Sequence, residues 1–296
     1  MVGIAILNYN NIADTCACLD SIYKYCPAGS FGVCVVDNAS KPEVCEAVRK
    51  HLYSLDSKAE YIVSGENLGY ARGNNLAFWY FDSIPEVSEI LVLNNDVILT
   101  QDIITPLSDF LKANTDCAVV SPLLYSRSGK IDYACARRVK TTKELIIRSS
   151  SLAKSSWGRK ILDRSLMLKD RPEIADSKLP VQICLPSGSC MLLSKAAFSS
   201  VGYFDSGTFL YFEEDILWAK LSAAGYKSFL LPFITAIHLG AETTSKISSA
   251  FVYKAFRQSM LHYMKNFSGA CGLAVLYVRI RTGLAAWWKE FKEDRR

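Results

Sequence analysis

Apolar and polar residues alternate along this chain in blocks. Residues 2–7 form a short apolar run closed by Asn8, Tyr9, Asn10 and Asn11, the pattern of a buried parallel strand and its loop. Residues 12–26 then place Ile12, Cys16, Leu19, Ile22 and Tyr23 at helical spacing. Residues 32–37 repeat the strand pattern and end in Asp37. A helix is predicted over 42–53, a third strand over 61–63 and a helix over 74–82. A fourth strand over 89–93 runs into Asn94, Asn95 and Asp96. Strands alternating with helices predict an α/β fold built on a doubly wound, mostly parallel sheet with helices on both faces. Ligands of such sheets bind at the C-terminal ends of the strands, where Asp37 and Asp96 both fall.

The pattern changes between about 137 and 178, where Arg137, Arg138, Lys140, Lys143, Arg148, Lys154 and further cations are interleaved with serines. This predicts a helical, partly mobile insertion outside the core, either a solvated face or a flap for an acceptor or a membrane. Strands are expected at 181–185 and 189–193 around Pro186, Ser187 and Gly188. Segments 229–231 and 235–238 complete the sheet, and the chain is helical beyond residue 250.

Composition narrows the class. Of 296 residues, 50% are apolar and 21% charged, which excludes disorder. A net charge of +5 is too mild and too dispersed for a nucleic-acid surface, yet suits a protein that meets phosphates or anionic lipid. The ten cysteines show no CxxC pair or zinc-type spacing, and the apolar run at 2–7 is too short for a signal peptide. They read as reduced, mostly packing thiols of a cytoplasmic protein.

Three places carry candidate chemistry. Asp37 can accept a hydrogen bond from a base or ribose, or cap a turn. No glycine-rich phosphate turn follows the first strand, so a dinucleotide site is not indicated. Asp96 is a hard oxygen ligand suited to Mg²⁺ or Mn²⁺ shared with substrate phosphates, and His238 could join it or be merely structural. Glu213, Glu214 and Asp215 stand together among apolar residues at a predicted helix start. Desolvation and mutual repulsion would raise the proton affinity of acids so placed, as a general base requires, although first-turn acids also serve the helix dipole.

Six motifs follow one another along the chain: ILNYN at 6–10, VVDNAS at 35–40, NLGYARGNN at 67–75, LNNDV at 93–97, GSCML at 188–192, and GYFD at 202–205 with YFEED at 211–215. In this order they resemble family 2 glycosyltransferases of the GT-A fold, especially the bacterial rhamnosyltransferase branch, over residues 2–265. The resemblance implies a GT-A domain over 1–249: a nucleotide-sugar half at about 1–125, the basic insertion at about 137–178 and an acceptor half at about 180–249. It lays Asn8 and Asn10 along the nucleotide and Asp37 on the base or ribose. Asn67, Gly69, Arg72 and Asn75 would shape the donor pocket. Asn95 and Asp96 replace an Asp-x-Asp motif, with Asp96 and His238 as metal ligands. Asp215 would be the base of an inverting transfer and Glu214 its supporting acid. Two departures stand out: Leu217 occupies the place of a second acid, and Tyr70 that of a Phe.

The implied donor is dTDP-L-rhamnose, with UDP-galactofuranose, UDP-glucose and UDP-galactose as alternatives, and the implied setting is bacterial surface polysaccharide assembly. The acceptor would be a glycan or a lipid-diphosphate-linked glycan. Residues 250–296 carry aromatic, aliphatic and basic residues, and 270–288 are apolar but for Arg279 and Arg281. A helix lying in the interface of the inner face of the plasma membrane, anchored by Trp287, Trp288 and the basic tail, is one expectation. Docking on the protein's own core or in a homodimer is the other. A non-catalytic nucleotide-sugar binder or a scaffold of an assembly complex is the contrasting class.

Overall fold

The computed structural model describes residues 1–240 and 249–293; the side chains of residues 249 and 287–293 lie outside the described set, and with them the expected anchors Trp287 and Trp288. The N-terminal half runs β1 (Val2–Asn8), α1 (Ala13–Tyr25), β2 (Phe31–Asp37), α2 (Pro42–Leu55), β3 (Glu60–Val63), α3 (Gly69–Asp82) and β4 (Glu89–Asn94). Next come β5 (Val97–Leu99), α4 (Ile104–Ala113) and β6 (Cys117–Ser126). The insertion contains α5 (Thr142–Ser149), α6 (Ser156–Asp163) and α7 (Met167–Asp170), joined by short 3₁₀ turns. The chain continues through β7 (Val181–Ile183), β8 (Cys190–Ser194), α8 (Lys195–Ser200), α9 (Glu213–Ala223) and β9 (Lys227–His238). Two helices close it, α10 (Ser249–Asn266) and α11 (Gly272–Glu293).

Among the described residues the strands make one sheet in the order β3-β2-β1-β4-β8-β6-β9-β5, with β7 on β9. The first four are parallel, as their continuous apolar runs predict. Beyond β4 the sheet is mixed: β8 lies antiparallel to β4 and β6, and β5 and β7 antiparallel to β9. The reason is topological. The segment before β8 stands at the ligand edge, so the strand must run back from it. The expected strands at 229–231 and 235–238 are one strand, β9, whose register against β6 jumps from Leu231 to Thr235.

Apolar side chains cover both faces of the sheet. Leu19, Ile22, Val48, Leu52 and Leu107 pack on one face, and Phe78, Phe81, Phe198, Phe204, Leu217 and Leu221 on the other. Leu217, the residue in place of a second acid, is therefore core. Gly3 is required where it stands, because a Cβ there would lie 2.7 Å from the Phe81 ring. A third cluster joins Leu145 of α5 and Phe212 and Ile216 near α9 to Met260, Tyr263, Met264, Ala274 and Val278. The two C-terminal helices are thus docked on the insertion and the acid-bearing helix. Arg257 clips them together, donating to Thr282 Oγ1 at 3.0 Å and to the Arg279 carbonyl at 3.3 Å. Among the described residues no helix is long and apolar enough to cross a membrane. All ten cysteines are unpaired, and most are buried in the core.

Candidate active site

The strand ends assemble the site. Parallel register sets Asn8 of β1 beside Asp37 of β2. Asn8 donates to Asp37 Oδ2 at 2.8 Å, Tyr61 donates its hydroxyl to the same oxygen at 3.1 Å, and the Ser40 amide donates to Oδ1 at 2.7 Å. Asn8 Oδ1 accepts from Thr15 Oγ1 at 2.9 Å, and Asn95 donates to Thr15 Oγ1 at 2.8 Å. Asn8, Asp37 and Asn95 are buried, so this network holds the loops rather than presenting free groups. Asn10 is the open member. It takes a left-handed backbone (φ 52°) and its carbonyl side chain accepts from the Lys41 amide at 2.9 Å.

A second network shapes the turn into α3. Asn38 Oδ1 accepts from the Leu68 amide at 2.8 Å, while Asn67 Oδ1 accepts from Asn38 Nδ2 and the Gly69 amide, both at 3.0 Å. Gly69 has φ +75°, and a Cβ there would collide with the Phe209 carbonyl oxygen. Only glycine lets the start of α3 approach this closely; the Tyr70 amide then donates to the same oxygen at 2.8 Å. Asn75 is turned elsewhere, donating to the Phe204 carbonyl at 3.0 Å and accepting from the Phe204 amide at 3.3 Å. Arg72 is exposed, 3.5 Å from Glu66. Both border a groove of about 420 Å³ with Trp79, Asp205 and Lys220, which shares no lining residue with the cavity around Glu214 and Asp215.

Antiparallel pairing of β5 with β9 opposes Val97 to His238 and so brings Asp96 to the imidazole. Asp96 Oδ1 lies 3.4 Å from His238 Nε2, is buried and has no hydrogen-bond partner. The other ring nitrogen, Nδ1, is 2.9 Å from Asp132 Oδ2, a residue the sequence did not single out. Burial opposes protonation of His238, but the hydrogen bond to Asp132 and the nearby Asp96 and Asp132 carboxylates outweigh it and raise its pKa to about 9. Burial would raise Asp132 in turn, yet His238 and the Ala134 amide bring it below the ordinary carboxylate value. An unsatisfied carboxylate oxygen facing an imidazole pinned from behind by a second acid fits a divalent ion. Among the described residues no three acid, His or Cys side chains are grouped to hold a metal. Asp96 and His238 would therefore leave most of the ion's shell to phosphate oxygens and water.

The acids follow two consecutive left-handed residues, Tyr211 (φ 74°) and Phe212 (φ 70°). Backbone strain of this kind outside glycine needs support from its surroundings, here the stacking of Phe212 on Tyr263 and its contact with Phe256. The three acids then diverge. Glu213 is buried, and burial with the neighbouring Glu214 raises its pKa to about 8. It is outside the cavity that Glu214 and Asp215 line. The elevation expected of the acid cluster thus falls on the member outside that cavity. Asp215, 2% exposed, lies 3.1 Å from Lys140 and 3.7 Å from Arg137. Glu214, 18% exposed, lies 3.3 Å from Arg137 and accepts from the Gly188 amide at 2.8 Å.

Arg137 and Lys140 are therefore not part of a solvated face. Backbone pairing of Arg137 with Leu185 stitches the start of the insertion to the site, and both side chains are turned onto the acids. Burial opposes the charge on Arg137, but Glu214 and Asp215 more than compensate and raise its pKa. On Lys140 burial prevails over the attraction of Asp215 and lowers it. The acid pair and the Asp96–His238 pair meet across two consecutive residues: Gly188 is bound to Glu214, while Ser189 Oγ lies 3.3 Å from His238 Nε2. Tyr70 donates to the Gly188 carbonyl at 2.7 Å, and a Cβ on Gly188 would sit 2.7 Å from Glu214 Oε1.

This fold is that of known GT-A glycosyltransferases. The structure of GalNAc-T7 with UDP, GalNAc and Mn²⁺ superimposes with a TM-score of 0.60 at 12% identity, covering 80% of this chain and 43% of that one. The mannosyltransferase PcManGT from Pyrobaculum calidifontis, in complex with GDP-Man and Mn²⁺, gives 0.57 at 16% identity, covering 97% and 71%. In sequence the chain is 24% identical over 289 residues to the low-salt glycan biosynthesis hexosyltransferase Agl10 of Haloferax volcanii, covering 97% of this chain and 82% of that one. It is also 24% identical over 220 residues to the N-acetylglucosaminyl-diphospho-decaprenol L-rhamnosyltransferase of Mycobacterium tuberculosis, covering 70% and 67%. Residues 3–202 match the family model for glycosyl transferase family 2, and the chain belongs to that family.

Proposed function

We propose that this glycosyltransferase moves one sugar from a nucleotide-diphosphate donor to an acceptor hydroxyl by a single displacement with inversion. The observation that carries the reading is the joining of two chemically different pairs, Asp96 with His238 and Glu214 with Asp215, through the adjacent residues Gly188 and Ser189. The first pair would hold Mg²⁺ or Mn²⁺, whose charge offsets that of the departing diphosphate. Asp215 takes the acceptor proton. Glu214, committed to the Gly188 amide and Arg137, positions the peptide between the two centres. Asn10, Asn67 and Gly69 border the donor end, over the floor made by Asn8, Asp37 and Asn95. General-base help contributes on the order of 10²–10⁴-fold, and orientation and charge stabilisation supply the rest.

The favoured donor is dTDP-L-rhamnose, on the motif resemblance and the likeness to an L-rhamnosyltransferase. A panel of dTDP-rhamnose, UDP-glucose, UDP-galactose and UDP-galactofuranose, each with Mn²⁺ and again with EDTA, tests it. Metal-dependent release of dTDP alone is expected, and selective UDP release overturns the donor. The Asp215→Asn variant should lose turnover and keep donor affinity. A matching loss of donor affinity would refute its role as base.

A lipid-linked acceptor at a membrane surface suits the C-terminal helices. Residues 249–289 contain no acid, while Lys254, Arg257, Lys265, Arg279, Arg281 and Lys289 are basic. On α11, Ala274, Val278 and Thr282 face inward, and Leu273 (79% exposed), Leu276, Tyr277, Ile280 and Leu284 form an outward stripe. An apolar stripe within this basic, acid-free stretch, which ends before Glu290, suits an anionic lipid interface.

A further inference from the structure

The cavity beside Glu214 and Asp215 carries one cation, Arg148, that feels Asp215 but has no carboxylate within salt-bridge distance among the described residues. About 320 Å³ in volume, it is lined by Glu214, Asp215, Arg137, Lys140 and Arg148, with Phe256 as a wall. Arg137 and Lys140 are engaged with the two acids. Asp163, a further acid at the rim, faces Lys169 at 3.2 Å. Arg148 has no carboxylate partner among the described residues. Its guanidinium lies over the Phe256 ring, 5.1 Å from the centroid, on an exposed position of α5. The surplus continues outward, since Asp163 also borders a cleft of about 780 Å³ edged by Arg159, Lys160, Arg164 and Lys169.

A guanidinium held in place over an aromatic ring, unpaired, at the mouth of a cavity that ends on an acid pair is suited to a phosphate. A neutral glycan has no need of it. Phe256 belongs to α10, which packs against the inward face of α11 at Ala274 and Val278, and the opposite face of α11 carries the exposed apolar stripe on which a lipid chain could lie.

We infer that this cavity receives the acceptor, and that the acceptor carries a phosphate or diphosphate bound by Arg148 while its hydroxyl reaches Asp215. This rests on the sugar-transfer reading above. The test uses the full chain in EDTA, so that no divalent ion draws a diphosphate to the donor side, and measures binding of farnesyl diphosphate, farnesol and inorganic pyrophosphate by calorimetry. Farnesyl diphosphate should bind, Arg148→Gln should weaken it by about tenfold or more, and Arg148→Lys should restore part. Asp96→Asn should change nothing, and farnesol should bind at least tenfold more weakly than its diphosphate. Pyrophosphate binding with the same dependence on Arg148 would assign the site to a free phosphate group, and binding of farnesyl diphosphate alone to a lipid-linked one. Melting curves exclude misfolding of the variants. Equal affinity of wild type and Arg148→Gln, loss of binding in Asp96→Asn, or no binding by any probe overturns the inference. Binding of dTDP with Mn²⁺ is measured separately on the wild type: its absence would sink the sugar-transfer reading, whereas intact dTDP binding with no Arg148 dependence sinks the acceptor site alone.

Discussion

Asp132 offers the most discriminating perturbation, because it touches no substrate in the proposed reaction and acts only through His238. Its carboxylate stands 2.9 Å from His238 Nδ1, while Nε2 points to the unsatisfied Asp96 Oδ1. A carboxylate can only accept, so it fixes the Nδ1–H tautomer of a neutral ring and leaves the Nε2 lone pair toward Asp96. Asp132→Ala removes that constraint. Asp132→Asn is harsher in principle, since its amide can donate to Nδ1 and turn the Nε2–H toward the ion. Outer-shell partners of this kind are worth about 10–100-fold in metal affinity, or roughly 1.4–2.7 kcal/mol. The assay is Mn²⁺ titration by electron paramagnetic resonance in the presence of dTDP, which completes the coordination shell. We expect weaker Mn²⁺ binding by at least tenfold in both variants, with Asn equal to or worse than Ala, and little change in metal-free dTDP binding. Unchanged Mn²⁺ affinity in both variants, with wild-type affinity intact, would refute the orienting role of Asp132.

Two other expectations come from positions outside the chemistry. Glu213 is neutral in the folded chain up to about pH 8, whereas an unfolded glutamate ionises near 4.5, so its burial costs stability increasingly as pH rises from about 4.5 to 8, by up to a few kcal/mol. Glu213→Gln should therefore melt higher than wild type at pH 8 by a margin that shrinks toward pH 5; a margin independent of pH would show that the carboxyl is not the source. On α11, Leu276→Glu combined with Ile280→Glu should leave melting within a few degrees of wild type, because both side chains are exposed, and should abolish sedimentation with vesicles containing anionic lipid. Undiminished sedimentation would remove the stripe from the membrane reading.

What the sequence made legible follows from which interactions are local. The first four strands are continuous apolar runs between turn formers, so periodicity alone identified them, and the parallel order then placed Asp37 and Asp96 at the ligand edge. The mixed half resisted for the opposite reason: nothing in residues 190–194 says that the strand returns antiparallel to β4, since burial on both faces erases alternation in either direction. Arg137 and Lys140 show the same limit in side-chain chemistry. Within a stretch of cations and serines they read as solvent-facing, and only tertiary pairing with residues some 75 positions away reveals buried counter-ions. Asp132 carries no signal of its own in the sequence: it accepts from the Ala134 amide at 2.9 Å through Oδ1, and the oxygen that matters, Oδ2, meets His238 only in three dimensions. The acid cluster carries the sharpest lesson. Three adjacent carboxylates invite one shared environment, yet consecutive helical positions point about 100° apart. Glu213 is thereby desolvated, Glu214 caught on the Gly188 amide and Asp215 met by Lys140. A run of like residues at a helix start therefore specifies that a charged site exists, and the elements folded over it decide which member does which task.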